Sequence, residues 1–167
     1  IAGPVNLATP RNVHRIDVTT AHEMWQASLE SAVKNRIFIG CAAVADYRVS
    51  EVADQKIKKT NDNDELSLKL VKNLDIIASV ASLEKDRPFV VGFAAETQNV
   101  AEYAKSKLQR KNLDMICAND VSGGQVFGQD QNALQIFWKT GEKALPLADK
   151  NKLAEVLVTE IVEHYHK

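Results

Sequence analysis

Residues 88–120, PFVVGFAAETQNVAEYAKSKLQRKNLDMICAND, decide the fold class of this 167-residue chain. Pro88 to Glu96 is a continuous apolar run with β-branched residues, the signature of a strand buried on both faces. Asn99 then predicts the cap of a helix running to about Lys111, with Glu102 at its third position. Leu113 to Asp120 reads as a second short buried strand. Two buried strands joined by a helix require a crossover, and a crossover makes them parallel neighbours.

On the N-terminal side the same alternation continues. VHRIDV (Val13 to Val18) alternates apolar and polar residues and predicts a short strand. Thr20 with Glu23 forms a capping-box pattern for a helix from Ala21 to Lys34 that buries Met24, Leu29 and Val33. IFIGCAAVA (Ile37 to Ala45) predicts a strand covered on both faces. Between Lys56 and Lys72 the pattern breaks. KIKK (Lys56 to Lys59), the polar turn TNDNDE and the alternating LSLKLVK predict an inserted β-hairpin or pair of exposed arms. Asp75 then caps a helix through Leu83.

On the C-terminal side a Gly-containing loop, VSGGQVFGQDQ, follows Asp120. ALQIFW and ALPL predict an antiparallel pair joined through KTGEK, and a closing helix places Leu153, Leu157, Ile161 and Tyr165 at helical spacing. The sum is a single α/β domain over residues 1–167: a Rossmann-like, mostly parallel sheet flanked by helices, with an inserted β-hairpin or pair of arms.

Composition narrows the function. A formal net charge of −1, with 45% hydrophobic and 26% charged residues, lacks the broad Lys/Arg excess of a nucleic-acid or membrane-surface binder. No apolar run approaches the roughly 18 residues of a membrane-spanning helix, and no signal peptide is legible, so a cytoplasmic protein is expected. Cys41 and Cys117 each sit in an apolar run and read as reduced core residues. The opening IAGPVNLATP resembles the exit from a strand and predicts that the chain is a piece of something longer.

Ligands of open α/β sheets bind beyond the carboxyl ends of the strands, so the residues after each buried run are the candidates. Asp46 and then Lys56, Lys58 and Lys59 follow the first run. Glu96 and Thr97 follow the second, and Asn119, Asp120 and the Gly-containing loop follow the third. Lys107 and Lys111 lie four apart on one helix face, with Lys105 and Arg110 close by. Lysines from a helix and from an arm could clamp a triphosphate. From spacing alone, cations late in a helix equally complement its dipole, and lysines on an arm equally guard a strand edge. Neither a P-loop nor a GxGxxG fingerprint is present, and the four histidines form no metal-type spacing.

GCAAVADYRV, KIKK, LVKNLDI, VVGFAAET, the paired-lysine helix and KNLDMICANDV, in this order, resemble the synthetase domain of the bacterial bifunctional phosphopantothenoylcysteine decarboxylase/synthetase. The resemblance implies a ligase that activates 4'-phosphopantothenate with CTP and Mg²⁺ to an acyl-cytidylate, releasing pyrophosphate, and then couples it to cysteine with loss of CMP. It implies a nucleotide site containing Ala42, Asp46, Leu74, Asp75, Ile76, Ile77 and Phe93, with Lys107 and Lys111 on the triphosphate. Lys56 is implied in forming the acyl-cytidylate, as part of a flap that closes over CTP, and Ala43 in the coupling step. No residues are assigned to the metal. The family also dimerises, which makes ELSLKLV a partner-facing strand. The family carries FMN on a decarboxylase domain that is expected to lie outside this chain. Leu74 stands where the family has proline, and the family's first strand, loop and helix are expected to be missing. Two alternatives are a nucleotide-binding fragment or subunit without turnover, and an NAD(P)-dependent reductase.

Overall fold

The computed structural model describes residues 1–58, 66–96, 98–120 and 130–167, and of Asp120 the backbone alone. In chain order the elements are α1 (Ala21–Ala32), β1 (Ile37–Gly40), β2 (Tyr47–Val49), β3 (Leu70–Lys72), α2 (Ile76–Ala81), β4 (Phe89–Glu96), α3 (Val100–Arg110), β5 (Met115–Asp120), β6 (Gln131–Trp138), β7 (Gly141–Asp149) and α4 (Lys150–Tyr165). The main sheet has the order β1-β4-β5-β6-β7. Its first three strands are parallel, and β6 and β7 extend it as the predicted antiparallel pair. The parallel part arises as the sequence requires: β4 and β5 are joined through α3, which packs back on the sheet with Ala104 and Leu108 buried.

Two apolar layers sandwich the sheet. On one face Val90, Ala94, Ile116 and Ala118 meet Ala32, Val80, Ala104 and Leu108 from the first three helices. On the other, Val91, Met115, Cys117 and Ile136 meet Leu153, Leu157 and Ile161 of α4. Alternation along β4 and β5 therefore feeds both cores, which is why these strands read as continuous apolar runs. At the start of β4, Arg87 Nη1 donates to Asp114 Oδ2 at 2.8 Å, and that oxygen also accepts Val90 N at 2.7 Å. This fastens the entry of β4 to that of β5.

Local signals were accurate where the chain supplies its own partner. The Thr20 Oγ1 accepts from Glu23 N, while the Glu23 carboxylate accepts from Thr19 N at 2.7 Å and Thr20 N at 3.0 Å. Those backbone donors, Thr19 first, hold the Glu23 carboxyl below its ordinary pKa. Asp75 likewise caps α2, its Oδ1 accepting from Ala78 N at 3.1 Å.

Other expectations need correction. VHRIDV forms only a parallel bridge, Ala2 with Asp17, because among the described residues no further strand runs beside it. α1 stops at Ala32 and buries Ser28 and Ala32, leaving Val33 exposed at its C-cap. IFIGCAAVA is a strand only to Gly40, and it is an edge strand paired with β4 alone, so Ile39 is exposed instead of covered. α2 ends at Ala81, not Leu83. Asn99 stands at the N-cap of α3 with φ 46° and makes no side-chain cap bond; asparagine tolerates that left-handed conformation.

The inserted arm exists, but its strands differ from those expected. β2 pairs antiparallel with β3, Tyr47 opposite Lys72 and Val49 opposite Leu70. KIKK is not a strand through Lys58. Lys59 and the TNDNDE tip lie outside the described residues, as do Thr97 and most of the Gly-containing loop. Among the described residues no helix is long and apolar enough to cross a membrane.

Candidate active site

Two glycines set the position of α2. Gly40 of β1 and Gly92 of β4 are register partners. A Cβ at Gly92 would lie 2.8 Å from Leu113 Cδ1 and 3.0 Å from Ile77 Cδ1, and one at Gly40 would lie 3.1 Å from Ile77 Cδ1. The bare backbone thus lets Ile77 settle on the sheet, which draws Leu74 to Ile77 close to the strands. Asn73 ties the same segment to the loop after β1, its N donating to Asp46 O and its Nδ2 to Ala45 O, both at 2.8 Å. Arg48 closes the junction by donating to Lys72 O at 2.7 Å.

From this corner a chain of charges runs to α3. Lys111 Nζ lies 2.8 Å from Asp75 Oδ2, so one carboxylate caps α2 and pairs with α3. Burial pushes the Asp75 carboxyl up, but the Lys111 ammonium, the Ala78 N–H and the charge of Arg110 together bring it below its ordinary pKa. One turn earlier on α3, Lys107 Nζ donates to Glu96 Oε1 at 2.6 Å. Glu96 is the last residue of β4 and shares the α3 face with Ala94. Helical side chains lean toward the helix N-terminus, which directs Lys107 toward the end of that strand.

Asp46, Leu74, Asp75, Ile76, Ile77, Lys107 and Lys111 are therefore linked through backbone, cap and ion-pair contacts. Ala42 and Ala43 lie exposed in the loop that leads to Asp46. Phe93 falls on the opposite sheet face, in line with Val91 and beside Cys117, and is 36% exposed. Lys56 and Lys58 lie in the exposed segment after β2 and make no hydrogen bond or ion pair with a described residue. Lys105 leaves the cluster: it pairs with Glu142 at 2.6 Å and lies over the Phe137 ring. Cys41 was expected in the core and is exposed, because the chain leaves the sheet at Gly40.

Two cavities, of about 550 and 340 Å³, are lined by none of the predicted site residues. The first lies between α3 and the β6–β7 turn, and the second beside Arg87 and Tyr165. Among the described residues no group of three or more His, Cys, Asp or Glu could hold a metal ion. Sequence reading missed Asn73 as the tie between the two loops and Glu96 as the partner of Lys107. Its one available signal for Glu96 was a carboxylate at the end of a buried strand.

The chain as a whole is similar to known proteins. Residues 1–165 match the family described as the DNA/pantothenate metabolism flavoprotein C-terminal domain. The chain is 71% identical to the coenzyme A biosynthesis bifunctional protein CoaBC of Haemophilus influenzae, over 100% of this chain and 41% of that protein. It is 57% identical to the Escherichia coli CoaBC, over 99% of this chain and again 41% of the relative. The chain thus spans about two-fifths of the length of these relatives. A crystal structure of the C-terminal domain of CoaBC superposes with a TM-score of 0.76 at 31% identity, over 95% of this chain and 69% of that one. Family match, sequence identity and shared architecture agree: this chain belongs to the DNA/pantothenate metabolism flavoprotein C-terminal domain family, together with the C-terminal domain of CoaBC.

Proposed function

We propose that this chain is the synthetase part of a coenzyme A biosynthesis enzyme, binding CTP and joining 4'-phosphopantothenate to cysteine. The observation that carries the reading is a pair of lysines one turn apart, Lys107 of α3 and Lys111 at its C-cap, paired respectively with Glu96 at the end of β4 and Asp75 at the start of α2. Membership of the family that includes the CoaBC C-terminal domain supports it.

A carboxylate is a poor electrophile until it carries a leaving group. In the proposed first step an oxygen of the 4'-phosphopantothenate carboxylate attacks the α-phosphorus of CTP, and pyrophosphate leaves. In the second, the cysteine amine attacks the acyl carbon, CMP leaves, and the nitrogen gives up its proton. Negative charge gathers on the departing phosphates during the first step, so positioned cations matter most there. Lys107 and Lys111 serve the triphosphate, and Lys56 reaches the reacting phosphate from the arm. Asp46 and the segment Leu74 to Ile77 meet the nucleoside from one face of the sheet, Ala42 from the loop after β1, and Phe93 from the other face of the sheet. Mg²⁺ supplies charge neutralisation on the phosphates.

A second copy of the chain is the proposed partner of the arm. Leu66, Leu68 and Leu70 alternate along the chain into the start of β3 and are 67%, 60% and 55% exposed.

The function is tested with the intact protein by pyrophosphate release from CTP in the presence of 4'-phosphopantothenate. Lys56→Gln is expected to reduce release by about a hundredfold or more, about 2.7 kcal/mol of barrier, with an unchanged melting temperature because the side chain is exposed. Release at the wild-type rate would remove Lys56 from the reaction. Calorimetry with CTP, ATP and NADPH in parallel separates the ligase from a reductase, and turnover with cysteine separates it from a passive nucleotide-binding subunit.

A further inference from the structure

The two α3 lysines are already neutralised by carboxylates, and the two pairs differ in kind. Asp75 has a structural duty, since its other oxygen caps α2. Glu96 has none of that sort among the described residues: the one hydrogen bond its carboxylate accepts there comes from Lys107 Nζ, at 2.6 Å. Its side chain is only 15% exposed, and that of Lys107 is 35% exposed. α3 is already seated by Ala104 and Leu108, so the ion pair is not needed to dock the helix. A poorly hydrated carboxylate beside a phosphate-binding lysine is costly for the ligand, because it holds the cation and repels the incoming anion.

We infer that Glu96 is a displaceable counter-ion. It holds Lys107 in place in the empty enzyme, yields it to the nucleotide's phosphates, and reclaims it as pyrophosphate departs. This rests on the reading that Lys107 binds phosphate. Glu96 acts through Lys107 and is a positioning residue: it limits how tightly polyphosphate is held, and so keeps product from remaining bound. Gln in its place preserves shape and an acceptor oxygen but removes the competing charge.

Calorimetry of the intact protein with inorganic pyrophosphate tests this in wild type, Glu96→Gln and Lys107→Met. Glu96→Gln is expected to bind pyrophosphate about tenfold tighter, ~1.4 kcal/mol. In turnover, KM for CTP and kcat should fall together while pyrophosphate becomes a stronger product inhibitor. A purely structural role would instead leave pyrophosphate affinity unchanged or weaken it, and either result in the folded variant overturns the inference. If Glu96→Gln does not fold, Glu96→Asp carries the same test: it withdraws the carboxylate by one methylene, and a smaller gain is expected. Wild-type pyrophosphate affinity in Lys107→Met would show that the parent reading, not the role of Glu96, has failed.

Discussion

Asp75 divides its two oxygens between a backbone cap and an ammonium group, and its titration reports both. Its folded pKa lies below the ordinary value. The contribution is therefore fully present above the unfolded carboxyl's pKa of about 3.9 and is lost as pH falls through the lower folded value. Asn keeps the cap but not the charge, so Asp75→Asn is expected to be less stable than wild type at pH 7, with the gap closing below about pH 4. Because the carboxylate is 46% exposed the gap stays under about 1 kcal/mol; urea titration at several pH values measures it. The two thiols contrast as sharply. Burial, with a smaller effect of nearby Cys41, pushes the Cys117 thiol up to about 12, whereas Cys41 is exposed. A thiol reagent at pH 8 should label Cys41 alone, with Cys117 following only in denaturant; mass spectrometry of the labelled peptides checks this. CTP should slow labelling of Cys41, which precedes Ala42. Sequence context could not separate the cysteines, since both lie in apolar runs, and the difference arises from where β1 ends.

At the scale of elements, α2 is the piece whose placement matters most. It is a short helix held by the Asp75 cap, by Ile77 against two glycines, and by Trp25 Nε1 donating to Ser79 Oγ at 3.0 Å. Gly92→Ala would place a methyl group inside contact distance of Leu113 and Ile77. It should cost about 1–3 kcal/mol of stability through overpacking and weaken CTP binding by shifting Leu74 to Ile77. Gly40→Ala, with its nearest approach at 3.1 Å, should be milder in both. Chemical denaturation and CTP calorimetry on the two variants measure the ranking, and equal effects would refute this account of how α2 is seated. Elements closed by neighbours in sequence were legible: the α1 capping box, the Asp75 cap, the β6–β7 pair and α4. VHRIDV was misread because alternation shows that a segment suits a sheet but not that a partner strand exists. The arm was displaced for a related reason, since Tyr47–Val49 had to be found as the partner of Leu70–Lys72 across a long intervening segment.

Across the whole molecule, the arm bears the exposed leucines that a second copy would cover. Leu68→Lys combined with Leu70→Lys should convert a dimer to a monomer in sedimentation, with little change in melting temperature because neither side chain is in either core. A wild-type monomer, or a variant dimer, would remove the arm from the interface. The strand-helix-strand unit of residues 88–120 and the family resemblance were legible in the chain alone, because periodicity, caps and motif order depend on near neighbours in sequence. The strand order, the edge position of β1, the separation of Phe93 from the lysines by the sheet, and the pairing of Lys107 with Glu96 and Lys111 with Asp75 belong to the tertiary structure. Charge interactions and solvent exposure depend on distance in space, and folding sets that distance for residues far apart along the chain.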